Sequence, residues 1–103
     1  MSFATQQDRG NLASQNLWSD YQSQKQDFIA LAKIVYTAIE GKMGSAPSEA
    51  DILNGLAKAI LDRSVTYAAM LRRRRFMNTS LYSAYADALA RVLLDDEWAI
   101  IKI

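Results

Sequence analysis

The sequence predicts an all-α protein, a small antiparallel bundle of three main helices with a short hydrophobic C-terminal tail. Apolar residues recur at three- and four-residue spacing along three long segments, which is the spacing of one helix face. Half of the residues are hydrophobic and 22% are charged, a balance typical of a folded globular domain. Because 103 residues support one hydrophobic core, we expect a single helical domain over residues 11–103. Residues 1–10 are polar and show no apolar period, so we expect a flexible N-terminal arm there.

The first main helix is predicted to begin near residue 11 and to end between Gly41 and Gly44. Glycine adopts the left-handed conformation with which helices commonly end, so either glycine is suited to close this one. The apolar face of the helix consists of Leu17, Tyr21, Phe28, Leu31, Val35 and Ala38.

The second main helix is predicted to begin within residues 45–51. The side chain of Ser45 or Ser48 can accept hydrogen bonds from the free amides of a first turn, and Pro47, the only proline of the chain, suits that turn. The helix is predicted to run to about residue 74 or 76. The face that it buries consists of Leu53, Leu56, Ala57, Ile60, Ser64, Ala68 and Leu71.

The third main helix is predicted to follow Asn78, Thr79 and Ser80, whose side chains can cap its start. Its apolar face consists of Leu81, Tyr85, Leu89 and Val92. The tail that follows, residues 98–103, is too short for its pattern to decide between a helical continuation, a docked extended segment and a short strand. It either packs back on the bundle or contacts another subunit.

The composition argues against several kinds of chemistry. The chain has no cysteine and no histidine, so it lacks thiolate nucleophiles, imidazole bases and the commonest zinc ligands. The segment 41–45 has neither the spacing nor the preceding strand of a phosphate-binding P-loop. We therefore expect a protein that is not an enzyme and has no cofactor, no metal and no small-molecule substrate.

No segment approaches the ~20 consecutive apolar residues of a membrane helix. The first residues also lack the basic-then-apolar order of a secretory signal. We therefore expect a cytoplasmic protein of bacterial or phage type that does not bind membranes.

Positive charge is concentrated in one part of the chain. Residues 51–76 carry six basic and two acidic side chains, whereas the segments on either side carry more acidic than basic groups. A guanidinium keeps its charge and presents a planar fork to phosphate oxygens, and a neighbouring aromatic ring can stack on a base. The predicted nucleic-acid-binding residues, for DNA or RNA, are Arg63, Tyr67, Arg72, Arg73, Arg74 and Arg75.

Two other interpretations of the arginines remain open. Cations at the end of a helix favour the negative end of its dipole, and Asp95, Asp96 and Glu97 could pair with them. In the second interpretation, the arginines bind an acidic protein partner. Four consecutive positions cover about 300° of a helix, so the four arginines cannot all face one partner. Arg73 and Arg74 are the expected outward pair. The acidic residues themselves are interpreted as a solvated helix end or as salt-bridge partners, rather than as a magnesium site.

Tryptophan is enriched at the centres of protein interfaces. The predicted partner interface consists of Trp18, Trp98, Ile100, Ile101 and Ile103. The leading hypothesis is a non-enzymatic small helical subunit of a larger nucleoprotein assembly, which contacts nucleic-acid phosphates through the arginines and other protein subunits through this interface. The alternative is a homo-oligomeric protein–protein scaffold, a virion or adaptor component, or a helical inhibitor, without nucleic-acid contact.

In size and helical make-up the chain is similar to small helical subunits of CRISPR effector complexes and to adaptor or packaging proteins of tailed phages. This likeness is one of architecture over the whole chain. It involves no shared motif, so it implies no family and transfers no functional residue.

Overall fold

The structure, a computed structural model, describes residues 3–14, 21–70 and 79–102, without the side chains of 11–14, 63–70, 79–83 and 85. These residues are mostly helical and include no strand, which confirms the all-α class. The long helical segments are α1 (Gln6–Ser14), α2 (Lys25–Met43), α3 (Glu49–Met70) and α4 (Thr79–Ile101). None of the described helices is long and apolar enough to cross a membrane.

Helix α1 begins inside the segment for which we expected a flexible arm. Thr5 and Asp8 form a reciprocal cap, in which the Asp8 amide donates to Thr5 Oγ1 (3.1 Å) and the Thr5 amide donates to Asp8 Oδ2 (2.9 Å). Such a cap satisfies amides that a first turn would leave free. Ala4 is buried and Phe3 packs against the core. The spacing of apolar residues did not predict this helix. The helix is held by contacts with α4, which the local sequence does not show.

The prediction of one continuous first helix from residue 11 is wrong at Gln24. Residues 21–23 are helical, Gln24 has a ψ of 11°, and α2 begins at Lys25. The Phe28 amide still donates to the Gln24 carbonyl (3.1 Å). This is the first hydrogen bond of α2, so Gln24 is the residue at which the helical backbone is interrupted. The spacing of apolar residues does not predict such an interruption.

The connection between α2 and α3 follows the predicted capping chemistry. Gly44 has φ 71° and donates its amide to the Glu40 carbonyl (2.9 Å), which confirms the glycine cap. Ser48 caps α3, since the Asp51 amide donates to Ser48 Oγ (3.3 Å) and the Ser48 amide donates to Asp51 Oδ2 (2.8 Å). Pro47 is buried and precedes this cap, so the expectation that it lies within the first turn is wrong by two residues.

Helix α4 contacts the other three helices and lies at the centre of the fold. Its consecutive residues Val92, Leu93 and Leu94 are all fully buried, so it is covered on more than one face. The backbone is kinked at Glu97 (φ −123°, ψ 16°), and the helix then continues to Ile101. Of the structures left open for the C-terminal tail, helical continuation is the one observed for residues 98–101. The largest fully buried side chains of the core are Tyr21, Ile52, Leu56, Ile60, Val92, Leu93, Leu94 and Ile101.

Candidate functional site

The predicted nucleic-acid-binding residues lie at the end of α3 and beyond it. Arg63 and Tyr67 are one helical turn apart in α3, but their side chains are not among those described. Arg72, Arg73, Arg74 and Arg75 lie outside the described residues. The arginine cluster therefore remains a prediction.

The predicted partner interface divides between the core and the surface. Trp18 and Ile103 lie outside the described residues. Ile101 is only 1% exposed and belongs to the core, whereas Ile100 is 45% exposed. Trp98 is half-buried and its ring lies 5.8 Å from that of Tyr36, between centroids, at an angle of 60°. The tail thus packs on the bundle through Trp98 and Ile101, and contact with a partner remains a prediction for Trp98 and Ile100.

Three carboxylates at the end of α4, Asp95, Asp96 and Glu97, are here named the acidic run. Arg9 Nη2 lies 2.6 Å from Asp95 Oδ2 and 2.7 Å from Asp96 Oδ1, so one guanidinium bridges two carboxylates. Lys25 Nζ lies 2.6 Å from Glu97 Oε1. Within the described part of the chain, the cations that bind the acidic run therefore come from α1 and the start of α2.

Asp95 also ties the N-terminal segment to α4. The Phe3 amide donates to Asp95 Oδ1 (2.7 Å). Burial acts to raise the pKa of Asp95, but the hydrogen bonds from Phe3 and Arg9 outweigh it and hold this pKa below its ordinary value. The hydrogen bond to Asp96 raises the pKa of Arg9 in turn. The sequence offered no signal for this contact, because Arg9 is a single cation in a polar segment 86 positions before its partner.

Tyr21 adds a buried ring to this charged group. Its side chain is completely buried, its hydroxyl donates to Asp96 Oδ2 (3.5 Å), and Lys25 Nζ lies 5.6 Å from the centre of its ring. Burial and the charge of Asp96 raise its pKa. The phenol therefore stays protonated and acts as a hydrogen-bond donor.

An open groove of about 820 Å³ lies between α2, the start of α3 and the end of α4. Its walls include three aromatic rings, those of Phe3, Tyr36 and Trp98, together with the charged side chains of Glu49 and Lys102. The arrangement combines apolar surfaces with a carboxylate, which is chemistry suited to binding a cationic group.

One carboxylate oxygen of Glu49, in the wall of this groove, has no hydrogen-bond partner among the residues that the structure describes. This atom, Oε2, is buried. Burial raises the pKa of Glu49, the charge of Asp95 raises it further, and Lys102 lowers it. Buried polar atoms are nearly always hydrogen-bonded in folded proteins, so the fold leaves the charge of this carboxylate poorly compensated at Oε2.

No three acidic side chains come together as a metal-binding group within residues 3–14, 21–70 and 79–102. Comparison of the chain with protein-family profiles, with curated proteins and with solved structures found no match.

Proposed function

We propose that the protein is a non-enzymatic helical subunit of a larger nucleoprotein assembly, which contacts nucleic-acid phosphates through Arg63 and Arg72 to Arg75. The observation that supports this most is the pairing of the acidic run with Arg9 and Lys25. The main objection to a phosphate site is that the acidic run neutralises the arginines. That objection is weaker when other cations already bind these carboxylates at 2.6 to 2.7 Å.

The distribution of charge along the chain supports the same proposal. The basic segment, residues 51–76, carries an excess of four positive charges over its own acidic residues. Phosphate contacts by Lys and Arg supply most of the sequence-independent affinity for nucleic acids. A cluster of this kind on an otherwise nearly neutral protein is suited to backbone contacts without sequence preference.

The proposed architecture of the subunit is an antiparallel arrangement of α2, α3 and α4. The short connection at residues 44–48, capped on both sides, supports it for α2 and α3. Short connections join helices that run in opposite directions.

The second candidate is a protein–protein scaffold without nucleic-acid contact. It is favoured by large apolar side chains that remain at the surface, namely Ile34 at 68%, Met43 at 46% and Ile100 at 45% exposed. Single exposed apolar residues are common on monomers, so this observation is weaker than the charge argument.

The test replaces the expected outward pair in the variant Arg73→Ala/Arg74→Ala. Its affinity for a fluorescent single-stranded oligonucleotide, measured by anisotropy at ~50 mM salt, should fall by at least about tenfold, since two phosphate contacts are lost. The matched control is Lys33→Ala/Lys42→Ala, which removes the same charge from the exposed surface of α2 and should leave the affinity within about twofold. An equal loss of affinity in both variants would show that the oligonucleotide responds only to the net charge of the protein. Absence of binding by the wild-type protein would favour the scaffold.

A further inference from the structure

The groove beside Trp98 has the composition of a site for a cationic side chain. Tyr36 and Trp98 line it, and their ring centroids lie 5.8 Å apart with the planes inclined at 60°. Two inclined rings form a corner in which a planar cation can lie against an aromatic face. Neither ring is needed by the arginine cluster, so this surface is not explained by nucleic-acid binding.

Glu49 supplies the complementary charge. It is the first residue of α3, and it lines the same groove as the two rings. Its Oε2 atom is buried without a hydrogen-bond partner in the described part of the chain. No ion pair within 4.0 Å joins it to Lys102, the cation on the same groove, although both side chains are among those described. The negative charge of Glu49 is thus balanced by no ion pair among the described residues, and a cation in the groove would supply one.

We propose that this groove binds an arginine side chain of a partner protein, with the guanidinium against Tyr36 and Trp98 and its charge balanced by the Glu49 carboxylate. Arginine suits the site better than lysine because its planar guanidinium stacks on aromatic rings and still donates several hydrogen bonds. Its aliphatic stem fits the apolar part of the groove at Phe3 and Pro47. The inference rests on the proposed role of Trp98 in partner contact and is independent of the arginine cluster.

Charges around the groove set the sign of each test. Asp95 lies near enough to Glu49 to raise its pKa, and Lys102 lies near enough to lower it. A bound cation is therefore favoured by Glu49 and Asp95 and opposed by Lys102. Removal of the Lys102 charge should strengthen the binding of a cation, whereas a purely apolar pocket would not respond to it.

The experiment is a titration of the ¹⁵N-labelled protein with N-acetyl-arginine methylamide, followed by NMR. We expect saturable shifts of the Trp98 indole N–H and of amides at the start of α3. The matched ligand is N-acetyl-citrulline methylamide, which has the same shape without the charge and should bind at least tenfold more weakly. No saturable shift with the arginine probe at ~50 mM, or equal shifts with both ligands, overturns the proposal.

Three variants locate the interaction. Glu49→Gln should weaken binding of the arginine probe about tenfold, and Lys102→Gln should strengthen it about two- to threefold. Glu40→Gln, which removes the same charge as Glu49→Gln from an exposed position of α2, should leave it unchanged. Lys102 is exposed, so that variant keeps the test valid even if Glu49→Gln fails to fold. Unchanged binding in Lys102→Gln, or in a folded Glu49→Gln, contradicts the site.

Two further measurements on Glu49→Gln separate a failure of the groove proposal from a failure of the proposed function. Oligonucleotide binding by the Glu49→Gln variant should equal that of the wild type, because the groove is not part of the arginine cluster. Light scattering should give the same mass for both proteins. A wild-type dimer that dissociates in Glu49→Gln would identify a second copy of this chain as the occupant and would overturn the assignment to a separate partner.

Discussion

Replacement of Arg9 by alanine should destabilise the fold by separating α1 from α4. Arg9 is about one-third exposed, while the side chains of Asp95 and Asp96 are 15% and 28% exposed. Hydrogen bonds to charged groups contribute about 1.5–3 kcal/mol when buried, and exposed ion pairs contribute less than about 1 kcal/mol. Because solvent screens this partly exposed pair, we expect a loss of about 1–2 kcal/mol in the free energy of unfolding. For a domain of this size, that loss lowers Tm by roughly 5–10 °C.

The matched control is Lys33→Ala, which removes one positive charge from an exposed position of α2 that forms no ion pair among the described residues. Thermal unfolding followed by circular dichroism should give a Tm close to that of the wild type. The Arg9→Lys variant should lie between the two, because an ammonium keeps the charge but lacks the second nitrogen, Nη1, which Arg9 also directs at Asp96 Oδ2 (3.4 Å). If the Tm of Arg9→Ala at pH 7 lies within about 1 °C of the Tm of Lys33→Ala, Arg9 does not hold α1 against α4.

The same contact predicts a pH dependence with a defined sign. The pKa of Asp95 in the folded protein lies below the ordinary value of 3.8. Its ionised form is thus favoured by folding, and the stability that it contributes is fully present above pH 3.8 and is lost as the pH falls through the lowered pKa of the folded state. The difference in Tm between wild type and Arg9→Ala should accordingly shrink in acid. A difference that is constant across this interval would contradict the assignment to Asp95.

The remaining predictions concern a carboxylate and two glycines. Glu49→Gln should raise Tm at pH 7, since the pKa of Glu49 is raised above 4.5 in the folded protein and ionisation therefore opposes folding. The gain in Tm should vanish below pH 4.5. A lower Tm of the variant at pH 7 would contradict this. Gly55→Leu should lower the free energy of unfolding by about 1–3 kcal/mol, because a Cβ there would lie 3.1 Å from Val35 Cγ1 and 3.3 Å from Ile39 Cδ1. Gly41→Ala, where an added Cβ meets no described atom within 4 Å, should instead stabilise the helix by about 0.5–1 kcal/mol in urea unfolding. A Gly55→Leu variant as stable as Gly41→Ala would show that α2 and α3 do not approach closely.

The features that local chemistry specifies were predicted from the sequence. Gly44 closes α2 and Ser48 caps α3, as their residue types indicate. The apolar faces also hold in the described parts of α3 and α4, where Leu53, Leu56 and Leu89 are all buried. These features depend on residues a few positions apart, which is the range in which spacing and capping rules apply.

The features that depend on distant contacts were not predicted. Arg9 is held by carboxylates at the other end of the chain, and no sequence pattern connects positions so far apart. The kink at Glu97 was not predicted, whereas packing of the tail on the bundle, seen at Ile101, was one of the two alternatives left open. No functional role was predicted for Glu49 from the sequence. Its unpaired oxygen becomes visible once Tyr36 and Trp98 are placed around it.

The salt dependence of oligonucleotide binding by the wild-type protein tests the central claim most directly. Each phosphate that is neutralised on a single strand contributes about −0.7 to the slope of log Kobs against log salt concentration. With at least Arg73 and Arg74 engaged, the slope between ~50 and ~200 mM salt should be about −1.4 or steeper. It should become less steep by about 1.4 in Arg73→Ala/Arg74→Ala. A slope near zero, or no binding at ~50 mM salt, would contradict a phosphate-binding role for the arginines.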